Sequence, residues 1–554
     1  MRPFAARLAG ALMVVALLAS CGNGGDDGAD QAGTRTEAGE SGLEDAGAPV
    51  RGGRLVYGLE AESEDGWCLP EAQLAISGLM VEWAIYDPLV IMNDKAEVVP
   101  NLAKTIEHSD DYRTWTFTIR DGVKFHDGSP LDAEVVKDNL DAFRGTYEGR
   151  PAVLTSFVLK NIESVTVTGP MTVQVGTTVP WVALPATLTQ VGIMAKSQID
   201  DKKTCNRRMV GTGPFKLASW QPNQALIAQR NPDYWHIAPD GQPYPYADAV
   251  EFRPISETQQ RINALESGEI DVMLTPAAAS IAGPLTDLRN RGNINLLVSE
   301  EHAEVNFVML NSSKPPFDNP DMRKAVAMGL NRDKLNELAN LGFPTVADQP
   351  FPPGDPGYVD EPGFPKYDPE AARELVDAYV DGGGVAELTL TVQADPTLLA
   401  RGEIIQNQLS KVGIEVKIQS VDQTTLVSDA IAGSFQAMTF RRHPGGEPDL
   451  QYIWWYGIPN PVNFARIDDP EIDRLLDEAR SNPDPAQRTA LYEGISKRFG
   501  SEVWNIWLNY TPWAVAMAQD VHGVLSVELP DGGGKPFTGL AAGHSVAGMW
   551  RDAG

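Results

Sequence analysis

Arg441 and Arg442 stand side by side in the stretch Phe440-Arg441-Arg442-His443-Pro444-Gly445-Gly446-Glu447-Pro448-Asp449. Paired guanidiniums can clamp a carboxylate or another anion through charge-assisted, bidentate hydrogen bonds. The pair can equally be a solvated feature that balances nearby acids, and the residue types alone leave both readings open. His443 reads as a polar loop residue. Just downstream, aromatic residues gather: five of the 12 Trp fall between 454 and 513 (Trp454, Trp455, Trp504, Trp507 and Trp513), with Tyr456 and Tyr510 among them. Flat, rigid, amphipathic rings suit the walls of a cleft around a flexible solute, and they also suit a core. Reaction chemistry finds no such cluster. The seven His residues show no HExxH or other ligand spacing, and no GxSxG elbow occurs. Gly211-Thr212-Gly213-Pro214 lacks the helix opening of a phosphate loop. With 75 acidic residues, carboxylate pairs arise by chance. The sequence gives no positive argument for an enzyme, and no catalytic residue, metal site or cofactor is expected.

The elements that must carry these residues are legible in places. Thr114-Trp115-Thr116-Phe117-Thr118-Ile119-Arg120 alternates polar and apolar, as a half-buried strand does. Asp121-Gly122 then predicts a hairpin turn with Val123-Lys124-Phe125 returning, and a helix is expected from near Asp132. Glu163 to Val175 repeats the strand pattern around Gly169-Pro170. From Glu387 to Ser420 two alternating strands flank a helix carrying Ile405, Leu409 and Val412, which predicts a parallel pair with a right-handed crossover. Asn319-Pro320, Asp368-Pro369 and Asp469-Pro470 each place a capping side chain before Pro at the first helical position. After the last, Ile472, Leu475, Leu476 and Ala479 form one apolar stripe.

The chain has 554 residues and a formal net charge of -30, with 42% hydrophobic and 22% charged residues. Such a body suggests two or three domains, and its charge argues against a nucleic-acid partner. Arg2 and Arg7 precede the apolar run Leu8 to Ser20, which is too short for a ~30 Å bilayer core and reads as a secretory signal. It ends Leu18-Ala19-Ser20-Cys21, which resembles the lipobox of bacterial lipoproteins; that resemblance implies lipidation of Cys21. Residues 22–50, rich in Gly, Ala, Asp and Glu, are expected to form a disordered acidic tether. Cys68 and Cys205 remain, and an exported pair suggests either a disulfide or two separate buried thiols.

Several blocks occur in order along residues 52–515. The first is Thr114 to Ile119 followed by Arg120-Asp121-Gly122-Val123-Lys124-Phe125-His126-Asp127-Gly128. Next come Gly211-Thr212-Gly213-Pro214-Phe215, Arg230-Asn231-Pro232-Asp233-Tyr234-Trp235 and Ser267-Gly268-Glu269-Ile270-Asp271-Val272. Pro316-Phe317, Arg323-Lys324-Ala325 and Tyr367-Asp368-Pro369-Glu370-Ala371-Ala372 follow. This series resembles the extracellular solute-binding proteins of family 5, the oligopeptide- and dipeptide-binding group of ABC importers. The resemblance implies an α/β, two-lobe periplasmic-binding-protein-like (class II) fold with an extra subdomain inserted in the first lobe. Lobe I would comprise 51–86, 206–306 and 513–554, the insertion 87–205, and lobe II 307–512.

The resemblance also implies a monomeric, extracytoplasmic, lipid-anchored protein. It would hold a peptide or similar small solute between closing lobes and deliver it to a permease with ATPase subunits. A sugar, opine or metal chelate is the alternative ligand, and a secreted lipoprotein hydrolase the alternative from another class. Relatives pair an aspartate with the peptide's amino terminus; Pro444 stands at that position here, leaving Glu447 or Asp449 as substitutes. By the same resemblance, Trp83 and Tyr86 are expected to face the cleft. The expected ligand set is therefore Trp83, Tyr86, Arg441, Arg442, Glu447, Asp449, Trp454, Trp455, Trp507 and Tyr510.

Overall fold

The computed structural model describes residues 41–554, except 44–45, 64–65, 73, 153–154, 443–445, 541–543 and 553–554. The secretory signal, Cys21, most of the tether, His443 and Pro444 lie outside the described residues.

Alternation builds the first sheet. Trp115, Phe117 and Ile119 of the strand Thr114–Ile119 are buried while the Thr residues between them are half-buried. This strand lies between Ala103–His108 and Thr172–Thr177, and Ile162–Gly169 closes the four-stranded antiparallel sheet. The expected hairpin return is not a strand. Gly122 adopts φ 79°, and Val123 to Phe125 instead bond to Ser129 and Leu131. Their apolar side chains, Val123 and Phe125, still enter the core; alternation recorded burial there rather than strand pairing. Asp132 caps the helix Ala133–Phe143 by accepting from the Val135 amide.

A seven-stranded sheet runs in the order Ile294–Ser299, Trp513–Ala518, Val272–Thr275, Arg54–Leu59, Ala249–Pro254, Ala225–Arg230, Phe215–Gln221. Arg54–Leu59 is parallel to both neighbours. One apolar core spans this sheet and the four-stranded one, with Tyr57, Phe117, Trp181 and Phe252 all in it. The disulfide Cys68–Cys205, with Cα atoms 5.2 Å apart and a sequence separation of 137, lies in the same half.

The second core surrounds a five-stranded sheet, in the order Glu415–Val421, Glu387–Gln393, Ala437–Arg442, Val305–Leu310, Asn505–Tyr510. Glu387–Gln393 and Glu415–Val421 are parallel and joined by the helix Pro396–Ser410, as the alternating pattern predicted. The strand Val305–Leu310 starts two residues before the expected beginning of lobe II at 307. The chain passes between the large sheets at two short links. One lies between Ser299 and Val305; the other is Thr511-Pro512, between Tyr510 and Trp513. The links are tied together: the Thr511 amide donates to the Glu304 carbonyl at 2.7 Å, and Asn306 Nδ2 donates to Thr511 Oγ1 at 2.7 Å. Two sheet-centred bodies on paired short links are a hinged construction.

Candidate ligand-binding site

The two arginines sit on consecutive positions of the strand Ala437–Arg442, so their side chains leave opposite faces of the sheet. They cannot act as one clamp. The antiparallel register places Arg441 opposite Asn306 and Arg442 opposite Val305.

Arg441 reaches Glu60 of the first half at 3.2 Å and Glu304 of the link at 2.9 Å. Its guanidinium also lies over the Trp513 ring, 5.1 Å from the centroid. Burial pulls its pKa down, but Glu304 and Glu60 outweigh burial and leave it raised. Burial pushes the Glu304 carboxyl up, with Arg441 opposing. Arg441 is thus a tie at the seam between the halves.

Arg442 is different. It stacks over Trp454 at 4.6 Å and Phe307 at 5.8 Å. No ion pair reaches it among the described residues, and burial alone pulls its pKa down to about 9. It stays charged at neutral pH. A small cavity, with room for about one water, borders it, lined by Val305, Phe307, Pro350, Arg442, Gln451, Trp455 and Trp507.

The remaining expected contacts separate. Glu447 pairs with Arg488 at 2.5 Å and caps the turn Pro448–Gln451 through the Asp449 amide. Asp449 is deeply buried and accepts from Arg480 Nε and Nη2 at 2.9 and 3.0 Å. It also accepts from Trp181 Nε1 of the first half at 2.8 Å. Both carboxylates are therefore engaged by arginines rather than open to an incoming amine. Tyr86 is buried in the first half, donating its hydroxyl to Gln198 Oε1 at 3.0 Å. Trp83 packs half-buried against the first core. Tyr510 donates to the Phe351 carbonyl at 2.8 Å inside the second core. Trp455 packs on Phe351 and Phe499, and Trp507 on Phe307 and Phe499. Those two belong to the second core, and both also border the cavity.

The structure therefore gathers Arg442, Trp454, Trp455 and Trp507, with Tyr510 opposite Val305 on the neighbouring strand, while Trp83 and Tyr86 lie in the first half and Arg441, Glu447 and Asp449 are engaged in ion pairs. Sequence reasoning missed Val305, Phe307 and Gln451, together with the seam partners Glu60, Glu304, Trp181 and Arg480. Only strand pairing brings Val305 and Phe307 beside Arg442, and no local motif marks them. Among the described residues no group of three or more His, Cys, Asp or Glu is placed to hold a metal ion. No helix there is long and apolar enough to cross a membrane.

The family model "Bacterial extracellular solute-binding proteins, family 5 Middle" matches residues 97–464. The Escherichia coli (strain K12) nickel-binding periplasmic protein is 26% identical over 470 residues, 80% of this chain and 88% of that protein. Di/tripeptide-binding protein 1 of Pseudomonas aeruginosa is 27% identical over 426 residues, 72% of this chain and 78% of that one. Among solved structures, AgaA of A. tumefaciens R10 in complex with agropinic acid aligns with TM-score 0.80 and 24% identity. That alignment covers 91% of this chain and 99% of AgaA. The oligopeptide-binding protein AppA of Bacillus subtilis in complex with a nonapeptide aligns with TM-score 0.78 and 22% identity, over 91% of this chain and all of that one. The shared fold is the two-lobed periplasmic-binding-protein architecture.

Proposed function

Since this chain belongs to the bacterial extracellular solute-binding proteins of family 5, we propose that it is the capture component of an ABC importer. It takes up a peptide or similar small solute outside the membrane and presents it to a permease served by ATPase subunits. In this reading residues 51–86, 206–306 and 513–554 make lobe I, 87–205 its inserted subdomain and 307–512 lobe II. The protein works as a monomer tethered by a lipid on Cys21.

The observation that carries the reading is the seam. Arg441 of one half pairs with Glu60 of the other, and Asp449 of one with Trp181 of the other. These contacts exist only while the halves are together. A solute held by both halves adds its differential affinity to the same equilibrium and favours closure. Relatives that bind dipeptides, tripeptides and a nonapeptide support peptides as ligands. One observation favours a non-peptide solute instead: Glu447 and Asp449, the acids available for a peptide's amino terminus, are both engaged by arginines.

Native mass spectrometry of the purified full chain, followed by calorimetry, tests this directly. A library of di- to pentapeptides should raise the melting temperature and bind stoichiometrically without turnover. If sugars or metal chelates bind and peptides do not, the second reading holds. If the library and those solutes all fail, capture itself is refuted. Labelling of cells with an alkyne fatty acid should mark the wild type and leave Cys21→Ser unmarked.

A further inference from the structure

The segment expected to tether the body, residues 22–50, does not stay free of it to the end. Among its described residues, Ser41 pairs with the strand Ile294–Ser299. The Ser41 amide donates to the Leu296 carbonyl at 3.0 Å, and the Leu296 amide donates to Ser41 Oγ at 2.9 Å. Ile294–Ser299 is an edge of the seven-stranded sheet, and Trp513–Ala518 is its inner neighbour. An edge strand presents unpaired N–H and C=O groups, and proteins cover such rows. Ser41 takes both backbone groups that Leu296 turns outward. Gly42 follows, buried at φ 93°, a left-handed conformation that glycine adopts without strain. A Cβ there would lie 2.9 Å from Asn295 Cβ and 3.0 Å from Met517 Cε, so the close approach and the dihedral both require glycine.

The place of this contact gives it meaning. Asn295 and Leu296 belong to Ile294–Ser299, from which the chain leaves for the second half through the link to Val305. Met517 belongs to Trp513–Ala518, which the chain enters from the link Thr511-Pro512. Ser41 and Gly42 therefore touch both strands that carry the links. Those strands are paired along their whole length, from Ile294 opposite Ala518 to Ser299 opposite Trp513. Leu296 is three residues from Ser299, about 10 Å along a strand, so the contact sits close to the hinge. A second attachment follows at Arg51. Its Nε and Nη2 donate to Asp240 at 2.6 and 2.7 Å, its Nη1 donates to the Pro243 carbonyl at 2.8 Å, and its guanidinium lies 5.0 Å from the Tyr246 ring centroid. The chain is thus fixed to the first half at two points before its first strand begins at Arg54.

We propose that Ser41 and Gly42 form a clip that closes this sheet edge and makes the hinge-bearing strand pair the place where the membrane tether leaves the body. The first half is then the part held at the membrane, and the second half turns against it. This rests on the lipid-anchor reading above and adds to it the point of attachment.

Hydrogen exchange of the full chain in detergent, read by mass spectrometry on peptides spanning 294–299, tests the clip. The Leu296 amide should exchange about tenfold or more faster in Gly42→Val than in the wild type, while the amides of Arg54–Leu59 keep their protection. Ser41→Pro removes both the N–H and the hydroxyl and should act in the same way. Both variants should melt close to the wild type, since neither position belongs to an apolar core. Wild-type exchange at Leu296 as fast as in the two variants would overturn the clip. Attachment is tested on vesicles with an acceptor dye on their headgroups, using lipidated protein that carries a donor at Asn293→Cys or at Val385→Cys, both exposed positions. Energy transfer from 293 should exceed that from 385 about twofold or more, and Gly42→Val should shrink the difference. Equal transfer from the two positions in the wild type would overturn the attachment point, even where exchange supports the clip. If Cys21 carries no lipid and the chain does not bind vesicles, the anchor reading falls together with the attachment point. Slow exchange at Leu296 would then leave the clip standing as an edge cover alone.

Discussion

At the scale of single residues, position on an element outweighs residue type. Arg441 and Arg442 are chemically identical and adjacent, yet strand alternation gives one a pair of carboxylates and the other two aromatic rings. The arginine pair was legible in the sequence; its division was not, because it depends on the strand's face and on partners brought by pairing. Trp455, Trp507 and Tyr510 show the same limit, since wall and core ask for the same rings. Buried acids follow this logic too. Glu82 lies on the helix Ile76–Ile85 and is 5% exposed. Burial pushes its pKa up to about 8, with a hydrogen bond from the Gly192 backbone opposing. In the unfolded chain it titrates near the ordinary ~4.3. The folded state therefore binds the proton more tightly, and this contribution is full below the unfolded pKa and lost as pH rises through 8. Glu82→Gln resembles the protonated form and cannot ionise. It should melt close to the wild type at pH 5 and above it at pH 9. An equal difference at both pH values would show that ionisation of Glu82 is not the cost.

Elements start where local chemistry starts them. The Asn or Asp before Pro at 319, 368 and 469 caps a helix in each case, and Asp395 and Asp484 do so as well. Those signals are short-range, so sequence exposes them. The misread return after Gly122 needed a distant partner strand, which no local pattern can report. Asp469 separates two contributions cleanly. Its carboxylate accepts from the Glu471 and Ile472 amides at 3.1 and 3.0 Å, and also pairs with Arg498 at 2.6 Å. The Arg498 side chain is 34% exposed, so screening limits that pair to about 0–1 kcal/mol. The cap is worth about 0.5–2 kcal/mol. Asp469→Asn keeps a capping oxygen and loses the pair, whereas Asp469→Ala loses both. Urea unfolding should therefore place Ala about 1 kcal/mol below Asn. Equal stabilities would mean that the amide bonds contribute nothing.

For the whole molecule, the decisive contacts join residues far apart in the chain. Glu60 and Arg441 are separated by 381 positions, and Trp181 and Asp449 by 268. Ordered sequence blocks and their resemblance made the two-lobed architecture legible, while the seam depends on how the lobes meet and stayed hidden. Arg441 sits at its centre. Glu304 adjoins the strand Val305–Leu310 that pairs with Arg441's own strand, so this partner persists whether the halves are together or apart. Glu60 follows the strand Arg54–Leu59 of the other half, so this partner is present only on closure. The Arg441–Glu60 pair is partly exposed, 31% and 25% at the two side chains. A pair of that kind contributes up to about 1 kcal/mol, or roughly fivefold in a closed-to-open equilibrium. Glu60→Gln should weaken apparent ligand affinity by up to about fivefold. It should also enlarge the ligand-free radius of gyration in X-ray scattering and leave unfolding in urea nearly unchanged, since neither core loses a contact. Raised salt should reduce the wild-type affinity toward that of the variant, because screening acts on the same pair. If affinity and scattering are both unaltered by Glu60→Gln, the tie does not govern closure, and the hinge equilibrium is set by apolar contact and ligand alone.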